Sequence, residues 1–437
     1  MQKTDKRQFA SCILQCMHFC CISFLIAGCK AEDDARTALD FWAIGSEVEK
    51  IDELVDEFER QNPDIRLRVQ QIPWLAAHEK LLTAFAGDAM PDVCQLGNTW
   101  IPEFAMLGAI EPLDKYLRQS TTVISADFFP GLWETNRVDG HVYGIPWYAD
   151  TRVLFYRKDM LEQAGWAEPP RTWSEWLEAM RDLKRKVNPT GYAILMPTNE
   201  WEHLTILGLQ TGTEMLRDDG RYGNFDTPEF RRALDFYAQL FADGLAPRVM
   251  NTQISNYWEE FGRGYFGMYI TGPWNIGEFR RRLPADQQND WATSPLPKPD
   301  GMEFGVSQAG GSGLVIFRDS PRKKAAWKLI EYLSQPATQV KFYELTGNLP
   351  PRESAWEIGK LADDPPVAAF HEQLKHVAPL PRVPEWEKIN TMIIEAGEAV
   401  IHGQKTKDEV LSELDRKVDR LLDKRRWMLA RDETQTD

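Results

Sequence analysis

From Ala38 onward, short apolar runs alternate with segments whose apolar residues recur every three to four positions. Ala38 to Ile44 predicts a strand. Ile51, Leu54, Val55 and Phe58 then share one helical face, behind Ser46-Glu47-Val48-Glu49, which has capping-box spacing. Asn62-Pro63 stops that helix, and Ile65, Leu67 and Val69 alternate as a second strand. A helix carrying Leu81, Leu82 and Phe85 runs to Gly87, and Pro91 to Leu96 forms a third strand. A β-α-β-α-β order predicts a mainly parallel sheet flanked by helices. Ligands of such sheets sit beyond the carboxyl ends of the strands. Here those ends are Gly45-Ser46-Glu47 and Gly97-Asn98-Thr99-Trp100.

The middle of the chain is organised around Gly144 to Met160. Two short apolar runs meet there at a turn containing Trp147, Tyr148, Asp150 and Arg152. An aromatic face, a carboxylate and a guanidinium at a chain crossing can bind a polar ring-shaped ligand. The plainer reading is a buried strand whose Tyr and Trp reach hydrogen-bond partners. Further on, Thr172-Trp173-Ser174-Glu175 opens a helix toward Lys186, and Tyr192 to Met196 predicts a strand. Trp201 to Leu209 is helical, Arg217 to Asn224 a hairpin, and Asp226-Thr227-Pro228 caps a helix to Phe241. Gly262 to Gly267 spells GxGxxG, but it leads from a helix-like segment into a strand. A nucleotide loop needs the reverse context. Thr271-Gly272-Pro273-Trp274 places a Trp just past that strand, at a helix start. Gln308 to Gly313 runs into the buried strand Leu314 to Phe317, its glycines allowing close backbone approach. Thr406 caps a last helix with Val410, Leu414, Val418 and Leu422 on one face.

Length and charge narrow the field. At 437 residues, with 43% hydrophobic and 27% charged residues, the chain suits two lobes of a globular protein. A formal charge of −15 argues against nucleic acid as a partner. Lys3, Lys6 and Arg7 precede an apolar run from Phe9 to Ala27, the pattern of a secretory signal over residues 1–28. An uncleaved membrane anchor is the alternative, although Gln15 and His18 interrupt the span. The run ends Leu25-Ile26-Ala27-Gly28-Cys29 and resembles the lipobox of bacterial lipoproteins, which implies lipidation at Cys29 and a tether over residues 29–37. Removing the signal takes the net charge to −17 and leaves Cys94 as the lone thiol of the fold. That thiol reads as buried and inert, and a disulfide framework is ruled out. HExxH, GxxxxGK and GxSxG patterns are all missing, so no metal or cofactor is expected. Two carboxylates suffice for a glycosidase, which keeps a secreted glycoside hydrolase as the enzyme alternative.

An ordered set of motifs resembles the type-1 extracellular solute-binding proteins, the sugar-binding subunits of ABC importers. The match includes Gly144, Pro146, Trp147, Asp150, Tyr156, Lys158, Asp159 and Met160 in the central stretch. It extends through Gly87 with Pro91-Asp92-Val93, Pro170 with Thr172-Trp173, and Gly264 with Gly267-Met268. It continues through Gly272-Pro273-Trp274, Gly310-Gly311, Ala325-Ala326-Trp327, and Gly347 with Leu349-Pro350 and Arg352. The resemblance implies an α/β two-lobe periplasmic-binding-protein fold of class II, each lobe a mainly parallel sheet flanked by helices. Lobe 1 would comprise residues 38–147 and 296–333, lobe 2 residues 148–295 and 334–430. The ligand cleft would lie between them. Maltose/trehalose-type binders are the most similar in their site pattern. They imply Glu47, Tyr148, Asp150, Trp274, Gly311 with Ser312, and Arg382 as ligand residues, with His78, Asn98 and Trp100 on the first lobe. An acidic residue of those sites is missing near Asn98, which leaves the sugar's identity open. The implied function is non-catalytic binding of a di- or oligosaccharide by a monomer at the cell envelope, held to the membrane by its lipid alone. The sugar would then be handed to ABC permease subunits. Glycerol phosphate is the alternative solute.

Overall fold

The computed structural model describes residues 36–45 and 49–436. The expected signal, Cys29, most of the tether, and Ser46, Glu47 and Val48 lie outside the described residues. Ala38–Asp437 form one compact unit. No described helix is long and apolar enough to cross a membrane.

Two sheets, each covered by helices, make the two lobes. The first contains β1 (Thr37–Ile44), β2 (Ile65–Ile72), β3 (Val93–Gly97), β4 (Ile145–Asp150) and, late in the chain, Gly310–Ile316. The second contains β5 (Val153–Arg157), β6 (Tyr192–Leu195), β7 (Phe266–Thr271) and β8 (Trp291–Ser294). The late strand of the first sheet is β9. Spatial order is β2-β1-β3-β9-β4 in one sheet and β8-β5-β7-β6 in the other. β4 and β5 are thus consecutive in the chain but belong to different sheets, joined by Thr151 and Arg152 alone. The central stretch is two strands as expected, but the chain leaves the first sheet after Asp150, three residues later than the expected boundary at 147, because Tyr148 to Asp150 still pair with β9.

The sheets are mixed. β1 and β3 run parallel, joined by helices, but β9 runs antiparallel to both β3 and β4. In the second sheet β6 and β7 are parallel, while β5 is antiparallel to β7 and β8. Parallel pairing follows helical crossovers within a lobe. Strands that arrive from the other lobe enter at the cleft edge and run the opposite way.

Helices follow the apolar periodicity. α1 (Asp52–Gln61) buries Leu54 and Phe58, and α2 (Trp74–Ala86) buries Ala77 and Leu81. Thr172 caps the helix Trp173–Asp182 by accepting from the Glu175 amide, but the Glu175 carboxylate accepts from Arg171 N, so the expected box is half formed. Thr406 and Glu409 make the full reciprocal box at Lys407–Leu421. The Gly262 to Gly267 segment ends a helix and enters β7, with Gly264 at φ +77°. It is a joint, as its context implied. Cys94 is buried in the first lobe, and burial pushes its thiol well above the usual range. The other elements needed below are α3 (Glu202–Gln210), α4 (Trp274–Arg282) and α5 (Trp386–Ile401).

Candidate functional site

Strand register decides which residues meet at the edge of the second sheet. Val153 of β5 pairs with Thr271 of β7, and Leu195 of β6 pairs with Tyr269 of β7. The residues just before β5 and just after β7 therefore emerge side by side, and the segment that leads from β6 into α3 joins them through Arg152. They are Asp150 to Arg152, Glu200 to Glu202, and Trp274.

Arg152 joins them. Its Nη1 donates to the Asp150 carboxylate, and its Nη2 donates to Glu202 Oε1 at 2.8 Å. Its guanidinium lies 4.7 Å from the centre of the Trp274 ring, a cation–π distance. The Arg152 amide donates to Ser307 Oγ at 3.1 Å, and Thr151 Oγ1 donates to the Gln308 carbonyl at 2.9 Å. Those bonds fix the crossing against the returning chain. The Arg152 side chain is 11% exposed, Glu202 17% and Asp150 24%, values of a recessed cleft wall.

Charge in this wall is unbalanced. Burial works against the Arg152 cation, but Asp150 and Glu202 outweigh it and hold the guanidinium above its usual range. Burial raises the Asp150 carboxyl against the pull of Arg152. Burial, with the Glu202 charge adding to it, pushes Glu200 up to about 7. His203, one turn into the same region, is pushed down to about 4 by burial. Three carboxyl groups thus surround one permanent cation, with Glu200 partly protonated near neutral pH.

A second cluster lies at the strand ends of the first sheet. His78 Nε2 and Glu103 Oε2 are 2.6 Å apart, and that contact raises the His78 pKa. The His78 ring lies 5.2 Å from Trp100, whose other neighbour is Trp74 at 5.6 Å. Asn98 Nδ2 donates to the Ala309 carbonyl at 2.9 Å. Thr99 Oγ1 donates to Glu387 Oε1 at 2.6 Å, a bond from the end of β3 to the start of α5.

The sequence-predicted residues divide into three groups. Asp150 and Trp274 come together through Arg152, and His78 lies against Trp100, while Asn98 bonds the Ala309 carbonyl. Glu47 lies outside the described residues. The remaining four have their polar or steric role elsewhere. Tyr148 and Ser312 are 7% and 2% exposed, and Gln95 Nε2 donates to both hydroxyls at 3.1 Å. Gly311 sits at φ +127°, where a Cβ would overlap the Tyr148 carbonyl. Its close backbone approach is made to β4. Arg382 donates to the Glu134 and Arg137 carbonyls and the Glu134 carboxylate. It lines a separate cavity of about 930 Å³ with Leu209, Met215, Leu380 and Arg425. Sequence reasoning missed Glu200, Glu202 and Glu387; Thr99 lies within the strand end it marked. The rule that singled out Asn98, residues just past a strand's carboxyl end, applies equally to Glu200 and Glu202 after β6.

Comparisons agree with this architecture. The sequence profile of the family described as "Bacterial extracellular solute-binding protein" matches residues 44–340. The solved structure of the sugar-binding protein MalE from the phytopathogen Xanthomonas citri is 51% identical, with a TM-score of 0.87, over 90% of this chain and 99% of that one. The maltotriose-binding protein of Pyrococcus abyssi is 26% identical over 345 residues, 78% of this chain and 72% of that protein. The diacetylchitobiose binding protein DasA of Streptomyces coelicolor is 25% identical over 386 residues, 84% of this chain and 87% of that protein.

Proposed function

The chain belongs to the bacterial extracellular solute-binding proteins, and from that membership we propose that it binds a neutral di- or oligosaccharide of the α-glucoside kind in the cleft between its lobes. It is a sugar-binding subunit of an ABC importer, and its partner is the permease. The observation that carries the sugar class is the open ring of Trp274, 41% exposed, standing beside Asp150, Arg152 and Glu202. A sugar stacks its apolar face on such a ring and gives its hydroxyls to flanking carboxylates. The surplus of carboxylates runs against glycerol phosphate, whose dianion calls for several cations. The likeness to the sugar-binding MalE supports a sugar and that to the maltotriose binder an α-glucoside; the likeness to a diacetylchitobiose binder makes the chitooligosaccharide the natural control.

On this reading the lobes divide at the Thr151-Arg152 crossing and again near Ala309, later than the expected 295, because Lys298, Ser307 and Gln308 still pair with Arg171, Val377 and Ala378. The third division lies past Leu349, later than the expected 333, because Phe342 stacks on Trp147 and Leu349 bonds Ala149. His78, Asn98 and Trp100 supply the first wall. Cys29 carries the lipid that keeps a monomer at the envelope, and binding ends in transfer with no turnover. A thermal-shift panel on the chain from Lys30 tests the substrate. A ligand at 100 times its Kd stabilises the fold by ~2.7 kcal/mol. A shift with maltose or maltotriose, and none with glycerol phosphate or diacetylchitobiose, is the expected result. A shift with the phosphate alone would replace the substrate class, and hydrolysis of an aryl α-glucoside would replace transport by catalysis.

A further inference from the structure

We propose that Arg152 is a positioning residue: it braces one side of Trp274 so that the opposite face of the ring is held open for ligand. This rests on the sugar-binding reading above and goes beyond it, because it removes Arg152 from the set of sugar contacts and gives it a mechanical role.

Three observations carry the inference. The first is how the guanidinium is committed. One end donates to Asp150, the other to Glu202, and its plane covers Trp274 at 4.7 Å. A planar fork between two carboxylates is rigid where a lysine ammonium would swivel. The second is the other boundary of the ring. A Cβ at Gly272 would overlap the six-membered part of the Trp274 indole, so that edge lies directly on the chain entering α4. Trp274 is thus held by backbone at one edge and by Arg152 across one face. The third is the contrast in exposure. Arg152 is 11% exposed and Trp274 41%, so the brace is covered while the ring is open.

The alternative within the same geometry is a plug, in which sugar must first drive Arg152 off the ring. That would draw the guanidinium away from two carboxylates already recessed from water, whereas the open face is reached with no such loss. Each anchor of the brace sits on a different element: Asp150 on β4, Glu202 at the start of α3, and Trp274 at the start of α4. The orientation of the platform is therefore set by three segments meeting at the crossing.

The test uses the chain from Lys30, labelled with 5-fluorotryptophan, and maltotriose as the probe. The Trp274 fluorine resonance is assigned by its loss in Trp274→Phe. In Arg152→Ala that resonance moves and broadens, Arg152→Lys restores part of it, and maltotriose affinity by calorimetry falls about 3- to 30-fold in the alanine variant, the span of a cation–π contact. Glu202→Gln keeps an acceptor on Arg152 and serves where the alanine variant fails to fold; it shifts the same resonance by less. An unchanged Trp274 resonance in a folded variant overturns the brace, and so does unchanged or tighter maltotriose binding, tighter binding being the mark of a plug. A wild-type protein that ignores maltotriose counts against the α-glucoside reading and leaves the fluorine spectrum to decide the brace alone.

Discussion

The two walls of the cleft handle charge in opposite ways. On the second lobe, Asp150, Arg152, Glu200 and Glu202 crowd into one recess, where burial raises the Asp150 and Glu200 carboxyls and the neighbouring carboxylates hold Arg152 charged. On the first lobe a single pair, His78 with Glu103, sits one-quarter exposed beside two Trp rings. On the second lobe two carboxylates share one cation, and removing Arg152 leaves both without their partner in a recess. The first-lobe pair is exposed to the same degree as Asp150, but losing His78 leaves one partly solvated carboxylate rather than two that share a cation.

The largest expected effect therefore comes from the second wall. Arg152→Met leaves Asp150 and Glu202 unpaired and should lower unfolding stability by about 3 kcal/mol at pH 7, read by urea denaturation. A loss below ~1 kcal/mol would mean that water reaches the recess and that the contrast between walls is smaller than its geometry implies. Next comes Trp274→Ala, which should cost about 1–3 kcal/mol of sugar affinity while leaving stability nearly unchanged, since much of the ring is already in solvent. An equal loss in stability would make the ring a core element.

Glu200 gives the pH test. Its folded pKa of about 7 lies above the ordinary carboxyl value, so the folded state holds the proton more tightly than the unfolded state. Stability falls as pH rises between those two values. Glu200→Gln should match the wild type at pH 4.5 and exceed it by roughly 1–3 kcal/mol at pH 8. Parallel pH profiles would remove Glu200 from the strained set. The smallest effect belongs to His78→Asn. The His78 pKa is raised by Glu103, so the pair stabilises below the ordinary histidine value and loses that contribution as pH climbs through the raised one. A loss under ~1 kcal/mol at pH 6, vanishing by pH 9, is expected from denaturation at the two pH values.

Much of the scaffold was legible in the chain. Strand and helix order around Ile65, Leu67 and Phe58 follows from apolar period, and the place of Trp274 follows from a strand end plus a helix start. The crossing at Asp150 to Arg152 was legible as two short runs and a polar turn. What period cannot show is which polar side chain finds another far along the chain. Gln95 reaches Tyr148 and Ser312 across two strand pairings, and nothing local in Leu96 or Cys94 announces a buried amide there. Arg382 has the look of a free cation in a Pro-rich segment, yet its partners lie at Glu134 and Arg137. The helix Asp423–Thr436 escaped because its apolar residues keep no single face.

The two-residue link between β4 and β5 also constrains how such a protein can change over evolutionary time. A recombination event that swapped one lobe for that of a relative would cut the chain at this link. The cut would hand Asp150 to one parent and Arg152 to the other. Any successful hybrid must inherit both, together with Glu202 from β6's far side, so the three travel as one heritable block even though they straddle the boundary of the lobes. A change at His78 or Trp100 leaves that block of three intact, so variation on the first lobe does not face the same constraint.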